Sequence, residues 1–110
     1  MDIWHVPEID LEHHHPQVLR SDDGAARAVA IVLPAGDMLQ EHETHEHTWL
    51  VVASGELEIV KDGGSEAAGP GTLAHFSPGE RRMVRATSET RLILLLAPWP
   101  GPGHPNHPRD

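Results

Sequence analysis

Gly36–Gly55 reads GDMLQEHETHEHTWLVVASG. His42, His45 and His47 are interleaved with Glu41, Glu43 and Glu46, and an apolar run from Trp49 to Ala53 follows at once. Neutral imidazole and carboxylate are the ligands that borderline divalent metals prefer. The segment therefore presents a candidate metal site leading directly into a candidate strand.

The pattern around it is that of short strands between turns. Pro34-Ala35-Gly36, Ser54-Gly55, Asp62-Gly63-Gly64, Gly69-Pro70-Gly71, Pro78-Gly79 and Thr87-Ser88-Glu89 are turn signals. Between them lie Ala28–Leu33, Thr48–Ala53, Glu56–Lys61, Thr72–Ser77, Arg82–Ala86 and Thr90–Ala97. Even spacing of this kind predicts an all-β sandwich or barrel. No stretch carries a sustained helical apolar period with caps, so little helix is expected. Leu57 and Ile59 alternate with Glu56 and Glu58, as in a strand with one wet face, and Asp62-Gly63-Gly64 supplies a tight hairpin. Leu92–Leu96 does not alternate, which predicts cover on both faces: the barrel interior on one, the N-terminal segment or another subunit on the other. The tail from Pro98 onward is proline-rich and is expected either to lack order or to lie as a clasp over the barrel.

Composition narrows the function classes. At 110 residues one modest core is expected. The formal charge of −9 argues against nucleic acid as a partner. Protonating all ten histidines would bring that charge to +1, so the chain is unusually sensitive to pH. There is no cysteine, which excludes disulfides and thiolate chemistry; any metal must be held by nitrogen and oxygen. The N-terminus lacks the form of a signal peptide, and no apolar run approaches the roughly 20 residues of a membrane-spanning helix. A cytoplasmic protein without a membrane partner is expected.

The glycine frame resembles the two motifs of a small single-domain cupin of the RmlC-like superfamily. In the first motif Gly36 is followed at the family's spacing by His42, Thr44, Thr48 and Gly55; in the second, Gly71 is followed by Ser77, Gly79, Arg82 and Ala86. The resemblance covers roughly residues 25 to 97. It implies a double-stranded β-helix (jelly-roll) barrel there, with residues 1–24 packing on it as a strand and loop and 98–110 forming the tail. It also implies a cavity at one end, lined here by His42, Thr44, Thr48, Leu50 and Arg82.

The ligand positions depart from the family. Cupins hold their metal with two histidines and a glutamate of the first motif and a histidine of the second; this chain keeps His42 and has Thr44, Thr48 and Arg82 at the other three. Threonine hydroxyls are poor ligands for transition metals, and arginine stays protonated. His45 and His47 fall in the loop that the family places at the barrel mouth. With His42, and with His75 as a further ligand, they could rebuild a site for Fe, Mn, Ni, Cu or Zn. The competing reading makes them solvated loop residues beside Glu43 and Glu46.

Arg82 shares strand parity with Val84 and Ala86, with Arg81, Met83 and Arg85 on the other face; if the second-motif strand keeps the orientation that the resemblance implies, Arg82 points into the cavity. A buried guanidinium needs an anion: either a substrate carboxylate or an acidic neighbour such as Glu46 or Glu41. It would also repel a metal ion. Trp4, Trp49 and Trp99 are expected to be packing anchors, Trp49 on the outer face. His13-His14-His15 reads as a loop. Glu41 or Glu43 could act as a base, though nothing raises either above a solvated acid. The resulting expectation is a cupin that binds a small polar or carboxylated molecule, with a relocated metal and oxygenase, isomerase or lyase chemistry if catalytic. The alternative is a metal-free binding or sensing domain. The apolar Leu92–Leu96 strand and the family's habits add a homodimer.

Overall fold

The structure is a computed structural model that describes residues 1–42, 44–61 and 63–104, the side chains of residues 40–42 excepted. Among the described residues nine strands follow one 3-10 turn at Val6–Glu8. They are β1 (Gln17–Asp22), β2 (Ala26–Leu33), β3 (Met38–His42), β4 (His47–Ser54), β5 (Leu57–Lys61), β6 (Gly64–Ala68), β7 (Leu73–Phe76), β8 (Arg82–Ala86) and β9 (Thr90–Ala97). One sheet has the order β1-β2-β9-β4-β7 and the other β3-β8-β5-β6, with every paired neighbour antiparallel. No helix among the described residues is long and apolar enough to cross a membrane.

Alternation decides which side chains face inward. Along β4, Thr48, Leu50 and Val52 are buried while His47, Trp49 and Val51 are partly exposed. Along β8, Arg82, Val84 and Ala86 are buried and Arg85 is exposed. The inward residues of the two sheets meet in one core that includes Ile31, Leu50, Leu57, Phe76, Val84 and Leu92. This period-two pattern is the one expected of sheets packed face to face. The turn after β4 requires Gly55. Its φ is +84°, and a Cβ there would stand 2.2 Å from the carbonyl oxygen of Glu89.

Three strands lie outside the six runs that turn spacing marks. β1 and β6 are exposed along nearly their whole length, so neither carries an apolar alternation to read. β3 runs through the histidine and glutamate cluster, where polarity hides it. The β5–β6 hairpin pairs Lys61 with Gly64 across Asp62 and Gly63, and Gly63 has a φ of +77°; Asp62 itself lies outside the described residues.

β9 is central, between β2 and β4. Leu92 is fully buried, and Leu94 and Leu96 pack against the core. The outer face is covered only in part. Arg91 reaches across it from β9 and donates through Nη1 to the carbonyl oxygens of Val6 and Ile9, which fixes the N-terminal segment. Leu95 remains 37% exposed, and Leu73 of neighbouring β7 is 62% exposed. Trp4 is 40% exposed and is not the anchor that its size suggested.

Candidate functional site at the barrel mouth

Inward-facing polar side chains collect at the end of the barrel where β4 and β8 begin. Thr48 is fully buried. Its hydroxyl lies 3.1 Å from that of Thr44, which donates to the carbonyl oxygen of Glu46 at 3.0 Å. Thr48 pairs with Phe76 across β4 and β7. The Phe76 ring in turn faces the Arg82 guanidinium at 5.1 Å, within reach of a cation–π contact. Arg82 is 5% exposed, and its backbone pairs with that of His42. Burial pushes the Arg82 pKa down, and the negative charge of Glu80 opposes the shift. The cation persists at neutral pH because arginine starts so high.

A cavity of about 390 Å³ opens at this end, lined by Thr44, His45, Pro78, Gly79 and Pro102. Gly79 N donates to Thr44 O at 2.9 Å and so ties the turn before β8 to the segment before β4. Of the expected lining residues, Thr44 borders this cavity. Thr48 lies one hydroxyl deeper, and Leu50 is sealed in the core. A larger groove of about 480 Å³ runs between β2, β3 and His14–Pro16 and includes none of these polar residues.

The C-terminal segment closes over the same end. Trp99 N donates to Ala25 O at 3.2 Å, Trp99 O accepts from Gly24 N at 2.7 Å, and Arg27 lies 4.1 Å over the Trp99 ring. Two residues on, Gly101 N donates to Glu46 Oε2 at 2.8 Å. His104 Nδ1 stands 2.7 Å from the same carboxylate oxygen, close but not aligned as a hydrogen bond. Glu46 is 1% exposed. It is therefore the acceptor that fastens the tail through the Gly101 N–H, with the His104 ring beside it. The sequence offered it as an acidic neighbour for Arg82, not as a partner of the tail. The readable signal was Gly101 between Pro100 and Pro102, a position that suggests close backbone approach.

The histidines separate. His45 meets His104 edge to face, with ring centroids 5.7 Å apart. His47 is the first residue of β4 rather than a loop residue, so strand alternation does fix its direction, and it turns to the outer face. There its Nδ1 lies 2.9 Å from His75 Nε2. Among the described residues no three His, Asp or Glu side chains come together as a metal site would need; the His42 side chain, the Glu41 side chain and Glu43 lie outside them. At the family's ligand positions the described donors are two hydroxyls bonded to each other and a guanidinium. That set does not suit a divalent transition metal.

The cupin domain family matches residues 28–98, well over half of the chain. The chain belongs to the cupin family. This cupin is 28% identical over 88 residues to a protein named L-ectoine synthase from Mycobacteroides abscessus, an alignment covering 77% of this chain and 68% of that one. Its fold is similar to that of an RmlC-like cupin protein from Desulfovibrio desulfuricans, with a TM-score of 0.79, 21% identity, and coverage of 89% and 97% of the two chains. It is also similar to the Cnp3 cupin domain of Schizosaccharomyces pombe, with a TM-score of 0.74, 14% identity, and coverage of 86% and 72%. At these identities the two structures establish the fold and leave the chemistry to the residues of this cupin.

Proposed function

We propose that this cupin binds a small polar or carboxylated molecule at the Thr44–Gly79 end of the barrel. Arg82 meets the anionic group, and the Thr44 and Thr48 hydroxyls bond the polar remainder. The observation that carries this reading is the burial of Arg82 on the inward face of β8. A guanidinium in such a place offers a planar, two-pronged donor that matches a carboxylate, and low local polarity strengthens the contact. The likeness to a protein named for making L-ectoine supports a small-molecule site.

Arg82→Ala should weaken binding of small carboxylates about tenfold or more, ~1.4 kcal/mol, and leave the matching amides unaffected. Equal losses for acid and amide would show that Arg82 serves the fold instead. Circular dichroism of the variant guards against simple unfolding.

This reading gives the cavity no resident metal. A metal on His42, His45 and His47 would require His45 to leave His104 and His47 to leave His75. Reconstitution with Fe, Mn, Ni, Cu or Zn followed by elemental analysis separates the two readings. Bound metal that is lost in His42→Ala would restore the metal site at the mouth. We further propose that the outward Leu73, Ile93 and Leu95 pair with a second copy. Light scattering should then give twice the single-chain mass of 12.0 kDa, and a single-chain value would refute the dimer.

A further inference from the structure

We propose that His47 and His75 form a two-histidine chelate for Cu(II) or Ni(II) on the outer face of the five-stranded sheet, separate from the barrel mouth. The two residues lie on adjacent strands, β4 and β7, and both point away from the core. Their facing nitrogens, His47 Nδ1 and His75 Nε2, are 2.9 Å apart. The rings are nearly parallel, with an interplanar angle of 21° and centroids 5.1 Å apart. Trp49 backs the pair, its ring 5.7 Å from His47 and 4.9 Å from His75.

Two imidazoles on neighbouring strands suit Cu(II) best among the first-row divalent ions, with Ni(II) next to it, because these ions favour nitrogen ligands and tetragonal sites that solvent can complete. Solvent completes the coordination. A cleft of about 450 Å³ at the sheet edge adjoins His75.

The protonation balance is simple. In the metal-free pair one ring donates N–H to the other. Chelation needs a lone pair on both facing nitrogens, so the donor ring moves its proton to its own far nitrogen. Each ring also turns so that its lone pair aims at the ion. His75 is exposed on an edge strand, which leaves space for that turn. Lys61, Glu66 and Glu80 line the same cleft. Glu80 is close enough that charge on His75 helps to lower its pKa. Its carboxylate favours a cation at His75, while Lys61 opposes one.

Titration of the intact protein with Cu(II) at neutral pH tests the assignment through Trp49 fluorescence and calorimetry. We expect one site whose occupancy quenches Trp49, binding weakened tenfold or more in both His47→Ala and His75→Ala, and binding unchanged in His42→Ala. Trp49→Phe should retain calorimetric binding and lose the quench. Equal affinity in His75→Ala, or loss of the site in His42→Ala, would overturn the proposal. So would tighter binding of Zn(II) than of Cu(II). Loss in His42→Ala would at the same time restore a metal at the mouth, so the two sites are told apart by the variant that fails.

Discussion

Gly101→Ala probes the clasp most sharply. A Cβ on Gly101 would lie 2.1 Å from the carbonyl oxygen of His45, 2.6 Å from its carbonyl carbon and 3.1 Å from Glu46 Cγ. Two of these three are backbone atoms and cannot swing aside, so the tail itself must lift. Lifting breaks the Gly101 N–H bond to Glu46 Oε2 and parts the carboxylate from His104. A hydrogen bond to a charged acceptor contributes about 1.5–3 kcal/mol. Leaving the buried carboxylate without partners would cost about 3–5 kcal/mol if nothing else moved. Water reaches Glu46 once the tail is off, which limits the penalty, so we expect about 2–4 kcal/mol. Two other glycines calibrate the value. At Gly103 a Cβ would meet only the His45 ring at 3.6 Å, but φ is +84°, so alanine should cost about 1 kcal/mol from backbone strain alone. At Gly69 a Cβ meets nothing within 4 Å, and alanine should be close to neutral. Urea denaturation of the three variants gives the ranking, and amide exchange at Trp99 and Gly101 reports the clasp directly. A loss below about 0.5 kcal/mol in Gly101→Ala with exchange unchanged would refute the steric argument and the role given to Glu46.

Three further outcomes can be measured on the same material. Gly55→Ala combines a φ of +84° with contacts of 2.2 Å to Glu89 O and 2.7 Å to the Thr90 Cα; a stability loss above about 2 kcal/mol in urea is expected, and a smaller one would mean that the β4–β5 turn yields. Thr90 is fully buried, and its Oγ1 lies 2.8 Å from Glu56 O and 2.9 Å from Ser88 O. Thr90→Val keeps the shape and removes the hydroxyl, so a loss of about 1–2 kcal/mol is expected, and a gain would show those carbonyls to be satisfied by water. The Glu80 carboxyl is held below its ordinary value of 4.5, chiefly by a side-chain bond to Lys61 and next by the Ser77 N–H. A carboxyl lowered by folding favours the folded state above its unfolded pKa, and the gain disappears as pH falls through the lowered value. Glu80→Gln should therefore flatten the acid side of the stability–pH curve, by about 0.5 kcal/mol for so accessible a pair. A wild-type curve that the variant superimposes would refute the assignment.

The order of residues along the chain determined the strands with clear alternation, because side-chain period and turn residues are local properties. β8 and β9 span Arg82–Ala86 and Thr90–Ala97, the bounds that the turn signals marked. Parity put Arg82 on one face with Val84 and Ala86, the family orientation of that strand implied that the face is inward, and all three are buried. The glycine spacing carried the family, because a turn that needs positive φ fixes its residue wherever the rest of the chain goes. What escaped were the contacts between distant segments. β1 and β6 are strands through pairing with β2 and β5, while their own residues are mostly exposed on both faces. Sequence showed three histidines within six residues and could not show that His45 and His47 part. β4 begins at His47, and strand geometry turns its ring outward to His75, while His45 sits under the tail beside His104. The same holds for Glu46. Its burial is set by a glycine 55 positions away, and only the folded chain brings that N–H to the carboxylate. Local pattern specified the barrel; the closing of distant backbone on single side chains decided which polar groups are buried, and therefore where chemistry can occur.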